Sequence, residues 1–123
     1  MQEIKFRAWV RRLDRMCNVT GIDFERNEIN ILRPGWHMSE WLRRDQVELM
    51  QYSGLDDVNG KPIYGGDIVV VVSQYWGQLG NRYEVKFRKG AFYAEYVLLS
   101  EISPSISVIG NIHENPELLE AEL

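Results

Sequence analysis

The chain has 123 residues, of which 45% are hydrophobic and 26% are charged, and its formal net charge is −4. A domain of this length buries about two thirds of the surface that its unfolded chain exposes, so the composition excludes a mainly disordered protein and requires no stabilising metal. The single cysteine, Cys17, excludes an intrachain disulfide.

Four short strands are predicted in the first half of the chain, because apolar and polar side chains alternate there as in a strand with one covered face. They comprise residues 3–9, 16–20, 29–32 and 47–52. Pro34-Gly35 breaks the chain between the third and the fourth strand. Residues 39–44 predict a short helical turn, for which Ser39 is a favoured N-cap.

Two turns and a buried strand are predicted in the middle of the chain. The turn residues are Asp57, Asn59 and Gly60 in the first turn, and Gly65, Gly66 and Asp67 in the second. The carboxylate of Asp57 can accept a backbone N–H two residues on, and Gly60 can take a positive φ without steric cost. The β-branched run at residues 68–72 predicts a central, buried strand.

The last third of the chain predicts a hairpin, a final strand and a short helix. The predicted strands are residues 82–88 and 91–99, which form the hairpin, and a last strand that includes Ile106, Val108 and Ile112. Gly110 interrupts that last strand. Asn115 is a favoured N-cap and Pro116 suits the first helical position, so a short helix is predicted to begin there.

These elements predict a mainly β protein with a minor helical part. Strands that recur roughly every 8–12 residues indicate a compact small β-barrel or β-sandwich, here with a short C-terminal helix. We predict an N-terminal β lobe at residues 1–45 and a C-terminal β-barrel-like lobe at residues 46–123, which fold as one cooperative unit. Residues 1–50 carry 9 basic and 8 acidic side chains, whereas residues 51–123 carry 5 and 10. This asymmetry is typical of separate surfaces for separate partners, or of uneven solvation alone.

Neither a signal peptide nor a membrane span is predicted. The first twelve residues include Glu3 and contain no long apolar stretch. The longest strongly apolar run has five residues, at 68–72, whereas a membrane helix needs about 20. We therefore expect a protein that does not bind membranes, and its single cysteine fits a reducing cytoplasm.

Three segments carry a family resemblance. The first reads IKFRAW at residues 4–9, the second reads LMQYSGLDD at 49–57, NGK at 59–61 and IYGGDIV at 63–69, and the third reads VIGNIHENPEL at 108–118. In this order they resemble the YopX-like family of phage and prophage proteins. Gly65 departs from the family pattern, in which an acid more often precedes Gly66-Asp67. The resemblance implies a small β-barrel-like architecture, a phage or prophage origin and a bacterial cytoplasm, and it implies no catalytic residues.

Residues for nucleophilic catalysis or zinc binding are scarce. His37, His113 and Cys17 do not form the pattern of a nucleophile with a neighbouring base. One thiol and two distant imidazoles do not supply the four ligands of a zinc site. An EF-hand match around Asp57 fails, because Leu55 and Gly66 stand where oxygen ligands are needed.

A carboxylate cluster of Asp56, Asp57 and Asp67 has two interpretations. It could support metal-assisted hydrolysis, but each of these side chains also has a plain role in a turn. The turn interpretation is the more economical. We therefore expect no enzyme activity, no catalytic residue, no cofactor and no metal.

Protein binding is the function that we expect. Trp36, Trp41 and Trp76 lie in loop-like or ambiguous segments beside glycine, proline and charged residues. Tryptophan often anchors an interface, although each of these side chains could instead close one end of a barrel. Exposed strand edges also favour pairing with a second copy. We therefore expect a non-enzymatic accessory protein that binds a protein partner and forms a homo-oligomer.

Nucleic-acid binding is the alternative. The candidate patch consists of Arg7, Trp9, Arg11, Arg12 and Arg15. Basic side chains can contact phosphates, and an aromatic side chain among them can stack on a base. The negative total charge opposes this interpretation, because nucleic-acid-binding domains are usually basic.

Overall fold

The structure is a computed structural model that describes residues 3–120. It divides into two compact units, an N-terminal unit formed by Glu3–Gln51 and a C-terminal unit formed by the described residues from Tyr52 onward. The boundary predicted from the sequence lies between residues 45 and 46. In the structure the boundary lies between Gln51 and Tyr52, inside the strand Val47–Asp56.

The described residues form eleven strands, one short α-helix and four 3-10 turns. The strands are β1 (Phe6–Val10), β2 (Arg15–Asp23), β3 (Glu28–Leu32), β4 (Glu40–Arg43), β5 (Val47–Asp56), β6 (Pro62–Tyr64), β7 (Asp67–Val71), β8 (Arg82–Arg88), β9 (Ala91–Ala94), β10 (Val97–Leu98) and β11 (Ile106–Asn111). The helix is α1 (Leu99–Ile102), and the 3-10 turns are Arg11–Leu13, Arg44–Gln46, Ser103–Ser105 and Pro116–Leu119.

The N-terminal unit is built on an antiparallel sheet in the order β4-β3-β2-β1-β5. Alternate side chains of each strand point to one face, which forms the core. The buried members of that core are Ala8, Val10, Cys17, Ile29, Ile31, Leu42 and Val47. Cys17 is a buried free thiol, as expected of a small apolar side chain in a strand.

The predicted helical turn at residues 39–44 is wrong. Residues Glu40–Arg43 form β4 and pair with β3, and a 3-10 turn begins only at Arg44. In this strand Leu42 points into the core while Trp41 stays half exposed on the opposite face. Pairing with β3 supplies ladder hydrogen bonds, which an isolated helical turn of six residues cannot match in stability.

The C-terminal unit contains a second antiparallel sheet in the order β10-β9-β8-β7-β11. The end of β5 also belongs to this unit, where Tyr52 pairs with Tyr64 of β6. Strand β7 lies between β8 and β11, which confirms the prediction of a buried strand inside the sheet. The buried core of the unit consists of Ile63, Val69, Val71, Val85, Ala94, Leu99, Ile102, Ile106 and Val108.

Short helical elements complete the C-terminal unit. Helix α1 was not predicted, and it contributes Leu99 and Ile102 to the core. The predicted C-terminal helix is a single 3-10 turn at Pro116–Leu119. It begins after Asn115, as predicted, but the Asn115 side chain does not cap it. Instead, the Asn115 Oδ1 atom accepts a hydrogen bond from the backbone N–H of Asn111 at 3.3 Å.

The mainly β prediction is confirmed. Over residues 3–120 the strands form two open antiparallel sheets, so the barrel alternative is not the one adopted. No helix in this part of the chain is long and apolar enough to cross a membrane.

Candidate interaction surfaces

Asp57 of the first predicted turn is 7% exposed and bonds to backbone N–H groups through both carboxylate oxygens. Oδ1 accepts from Asn59 at 2.8 Å and from Lys61 at 2.9 Å, and Oδ2 accepts from Val108 at 2.8 Å. Burial acts to raise the pKa of Asp57, but these three N–H groups and the charge of Lys61 outweigh it and hold the pKa below its ordinary value of 3.8. The carboxylate is therefore a structural acceptor.

The second turn connects β6 to β7 and contains Gly65, Gly66 and Asp67. Gly66 has a φ of +92°, and its N–H donates a hydrogen bond to the Val85 carbonyl at 2.8 Å. The Oδ2 atom of Asp67 accepts a hydrogen bond from the backbone N–H of Tyr64 at 2.8 Å. The positive φ explains the glycine at position 66, because other residues adopt this conformation at a cost.

Asp56 and Cys17, two further candidates for chemistry, each have a structural environment of their own. Asp56 accepts a hydrogen bond from the Tyr52 hydroxyl at 2.7 Å. Burial raises the pKa of the Cys17 thiol, although the charges of Arg33 and Arg15 act in the opposite direction. Within residues 3–120, no three His, Cys, Asp or Glu side chains come together in a group that could hold a metal ion.

Trp36 and Trp41 belong to the N-terminal unit and are 54% and 49% exposed. The guanidinium of Arg33 lies 4.4 Å from the centre of the Trp36 ring and also forms an ion pair with Glu40 at 2.9 Å. The Trp41 indole lies over Gly21 of β2, where a Cβ atom would come within 3.4 Å of the ring. Both indoles therefore pack against residues of their own unit, and each keeps about half of its surface exposed.

Trp76 belongs to the C-terminal unit, is 88% exposed and has a φ of +48°. Hydrogen bonds on the C-terminal side of Trp76 fix the loop that carries it. The N–H of Gln78 donates to the Tyr75 carbonyl at 2.9 Å, and the Tyr83 hydroxyl donates to Gln78 Oε1 at 2.7 Å. Tyr75 itself packs against the core of the unit. The loop is thus anchored on both sides of Trp76 while the indole points into solvent.

Arg7 and Trp9 lie on one face of β1, because side chains two residues apart in a strand point the same way. Trp9 is paired with Met16 of β2, and both Arg7 and Trp9 are partly buried. Arg15 is paired with Val10, so the register places it on the opposite face. The strand thus brings together two of the five candidate patch residues.

The other basic candidates lie near the end of β1. Arg11 donates to the backbone carbonyl of Asp45 and forms an ion pair with Glu48, so its charge is largely neutralised. Arg12 and Arg15 are exposed, and within residues 3–120 neither forms an ion pair with a carboxylate. These two side chains remain available to an anionic ligand.

A second basic surface lies on β8, and it was not predicted from the sequence. We name Arg82, Lys86 and Arg88 the cationic stripe; all three are exposed. The Arg88 guanidinium lies 4.7 Å from the ring centre of Tyr93 and 5.7 Å from that of Tyr96. The alternation at residues 82–88 predicts the strand. It also places Arg82, Lys86 and Arg88 on one face, which is the sequence signal for this surface.

Comparisons with known proteins agree with the three-segment resemblance. The sequence matches the family model described as YopX protein over residues 5–120. The crystal structure of protein EF1440 from Enterococcus faecalis is similar with a TM-score of 0.72 and 30% identity, covering 98% of this chain and 100% of that one. The crystal structure of protein yopX from Bacillus subtilis is similar with a TM-score of 0.66 and 21% identity, covering 100% of both chains. No match was found among curated protein sequences.

Proposed function

The chain belongs to the YopX protein family, and we propose that it is a non-enzymatic phage or prophage accessory protein that works in the bacterial cytoplasm by binding proteins. In this proposal the Trp76 loop is the main anchor for a protein partner, and the protein also associates with itself. The observation that carries the proposal is the exposure of Trp76, 88%, on a loop that is otherwise closed by hydrogen bonds.

The Trp76 loop has the physical features of an interface anchor. A large aromatic side chain that is already held in place loses little conformational freedom when a partner covers it. Leu79 in the same loop is 53% exposed and enlarges the apolar surface. Tryptophan is among the residues that contribute most to binding when a partner covers them.

The test uses the purified chain as bait in lysates of bacteria with and without a prophage, after nuclease treatment. The wild-type chain should retain one defined protein, and Trp76→Ala should lose it. Phe24→Ala is the matched control, because Phe24 is also 88% exposed but belongs to the N-terminal unit. Equal retention of the same protein by wild type and Trp76→Ala would contradict the assignment to this loop.

Nucleic-acid binding is the second candidate. It is favoured by Arg12 and Arg15, which are exposed, form no ion pair within the described part of the chain and lie close in sequence to Trp9. Retention of single-stranded DNA or RNA at low salt should fall in Arg12→Ala/Arg15→Ala and with rising salt. Arg11→Ala is the control, because Glu48 already neutralises Arg11. Absence of binding at low salt would rule this candidate out.

A further inference from the structure

The cationic stripe is unusual within its unit. Residues 51–123 contain five basic and ten acidic side chains, yet four of the five basic ones lie at residues 82–89. Arg82, Lys86 and Arg88 point to the same face of β8, opposite to the buried Val85. Glu84 shares that face and Glu95 lies beside it, so the three cations of the stripe exceed the neighbouring carboxylates by one charge.

An acidic segment lies directly beside the stripe. Residues 112–120 contain Glu114, Glu117 and Glu120, all exposed, and no lysine or arginine. The 3-10 turn of this segment packs against β8, where Arg82 Nη1 donates a hydrogen bond to the Leu118 carbonyl at 3.4 Å. The Arg82 side chain therefore holds the 3-10 turn of this segment next to the cations.

The start of the acidic segment is fixed by the end of β11. Asn111 Oδ1 accepts hydrogen bonds from the N–H groups of His113 at 3.0 Å and Glu114 at 2.9 Å. The N–H of Ile112 donates to the Gly66 carbonyl at 2.9 Å. These hydrogen bonds fix the backbone at the start of the acidic segment.

The opposite charges of the two elements do not pair within the chain. Among the described residues, no member of the cationic stripe and none of the three glutamates forms an ion pair. Beside the stripe lies an open cleft of about 350 Å³, whose lining also includes Glu84, Glu95, Tyr96 and, from the acidic segment, Leu119. Tyr96 is 80% exposed, so the cleft offers apolar contact area in addition to charge.

We propose that this face is a self-complementary interface through which two copies of the chain associate. This inference rests on the self-association named in the proposed function and assigns it to a different surface from the Trp76 loop. In a two-fold dimer each copy presents the same patch, so the patch must be complementary to itself. A positive stripe beside a negative segment meets that condition, because the stripe of each copy faces the glutamates of the other.

A charge-swap experiment tests the dimer. Sedimentation of the wild-type chain should give a mass of twice 14.4 kDa. Lys86→Glu/Arg88→Glu should be monomeric, and so should Glu117→Lys/Glu120→Lys, because each variant places like charges opposite one another. An equimolar mixture of the two variants should form a heterodimer. Raising the salt from about 0.05 M to about 0.5 M should weaken wild-type association about tenfold or more.

Two controls distinguish a charge-paired dimer on this face from a dimer formed through another surface. Lys86→Glu alone keeps the stacking of Arg88 on its tyrosines, so it should weaken association while leaving the circular-dichroism spectrum unchanged. Trp76→Ala should remain dimeric, because its loop binds a different partner in the proposed function. A dimer lost in Trp76→Ala and kept in the swapped variants would overturn the inference and leave the Trp76 proposal standing.

Three further outcomes would also overturn the inference. A wild-type chain that is monomeric at tens of micromolar would show that no dimer forms. A mixture of the swapped variants that stays monomeric would show that charge complementarity does not drive association. Binding of a single-stranded oligonucleotide that is lost in Lys86→Glu would assign the stripe to nucleic acid instead.

Discussion

Asp57 accepts a hydrogen bond at 2.8 Å from the backbone N–H of Val108, which lies 51 residues further along the chain. The next residue, Val58, donates its N–H to the Ile106 carbonyl at 2.9 Å. Both bonds go to the side of β11 that has no neighbouring strand, because β11 pairs only with β7 among the described strands. The turn therefore covers part of a sheet edge that could otherwise pair with another chain.

Replacing Asp57 should destabilise the protein markedly. In Asp57→Ala the buried N–H of Val108 loses its acceptor, and the turn loses two more bonds to Asn59 and Lys61. An unsatisfied buried donor costs about 1–3 kcal/mol, so we expect the free energy of unfolding in urea to fall by about 3 kcal/mol. Asp56→Asn, which keeps an acceptor for the Tyr52 hydroxyl, should change it by less than about 0.5 kcal/mol. Equal effects of the two substitutions would contradict this assignment.

The same carboxylate should make stability depend on acid pH. The pKa of Asp57 is lowered in the folded chain by its three backbone N–H donors, against the effect of burial. A lowered folded pKa contributes stability that is present above the ordinary value of 3.8 and is lost as the pH falls through the folded pKa. Urea unfolding between pH 6 and pH 2.5 should show this loss in wild type, and the loss should be smaller in Asp57→Asn. Parallel pH profiles of the two chains would show that another group is responsible.

The turn shows what local sequence can and cannot predict. The preferences of Asp57 and Gly60 depend on neighbours within four residues, so the turn was predictable from the sequence. The bond to Val108 depends on where β11 returns in the sheet, and no local pattern contains that information. For the same reason the local sequence predicts a helical turn at residues 39–44, whereas the pairing of β4 with β3 decides their conformation.

The same distinction between local and long-range information applies to the candidate surfaces. The aromatic character and charge of Trp76 and Arg11 were evident in the sequence, but their environments were not. Trp76 is exposed by a loop that a side-chain hydrogen bond from Tyr83 closes, whereas Arg11 is neutralised by Glu48, 37 residues away. The cationic stripe does not stand out in the sequence, because aromatic and apolar residues and the acid Glu84 separate its members.

Gly110 should resist substitution because of the Asn115 side chain. A Cβ atom at position 110 would lie 2.5 Å from Asn115 Oδ1 and 2.9 Å from Asn115 Cβ, so either the strand or the acidic segment must move. We expect Gly110→Ala to lower the free energy of unfolding by about 1–3 kcal/mol. Asn115→Gly in the same chain should restore part of this loss, because it removes the clashing atoms.

Gly21→Ala is the matched control for this clash. Gly21 also lies in a strand, but a Cβ atom there would meet the Trp41 ring at 3.4 Å and Asn30 Cβ at 3.5 Å, which are ordinary contacts. Its free energy of unfolding should change by less than about 0.5 kcal/mol. If both alanine variants lose the same stability, the effect comes from the strand backbone and not from Asn115.

Trp76 should be dispensable for folding. Its φ of +48° costs a residue other than glycine about 1 kcal/mol, and its indole, 88% exposed, contributes little burial in return. Trp76→Gly should therefore leave the free energy of unfolding unchanged or raise it by up to about 1 kcal/mol, as measured by far-UV circular dichroism in urea. Tyr75→Ala should lower it by about 3 kcal/mol, because Tyr75 packs against the core. A loss of more than about 1 kcal/mol in Trp76→Gly would mean that the indole stabilises its own loop. The exposed position of Trp76 would then no longer support a role in binding a partner.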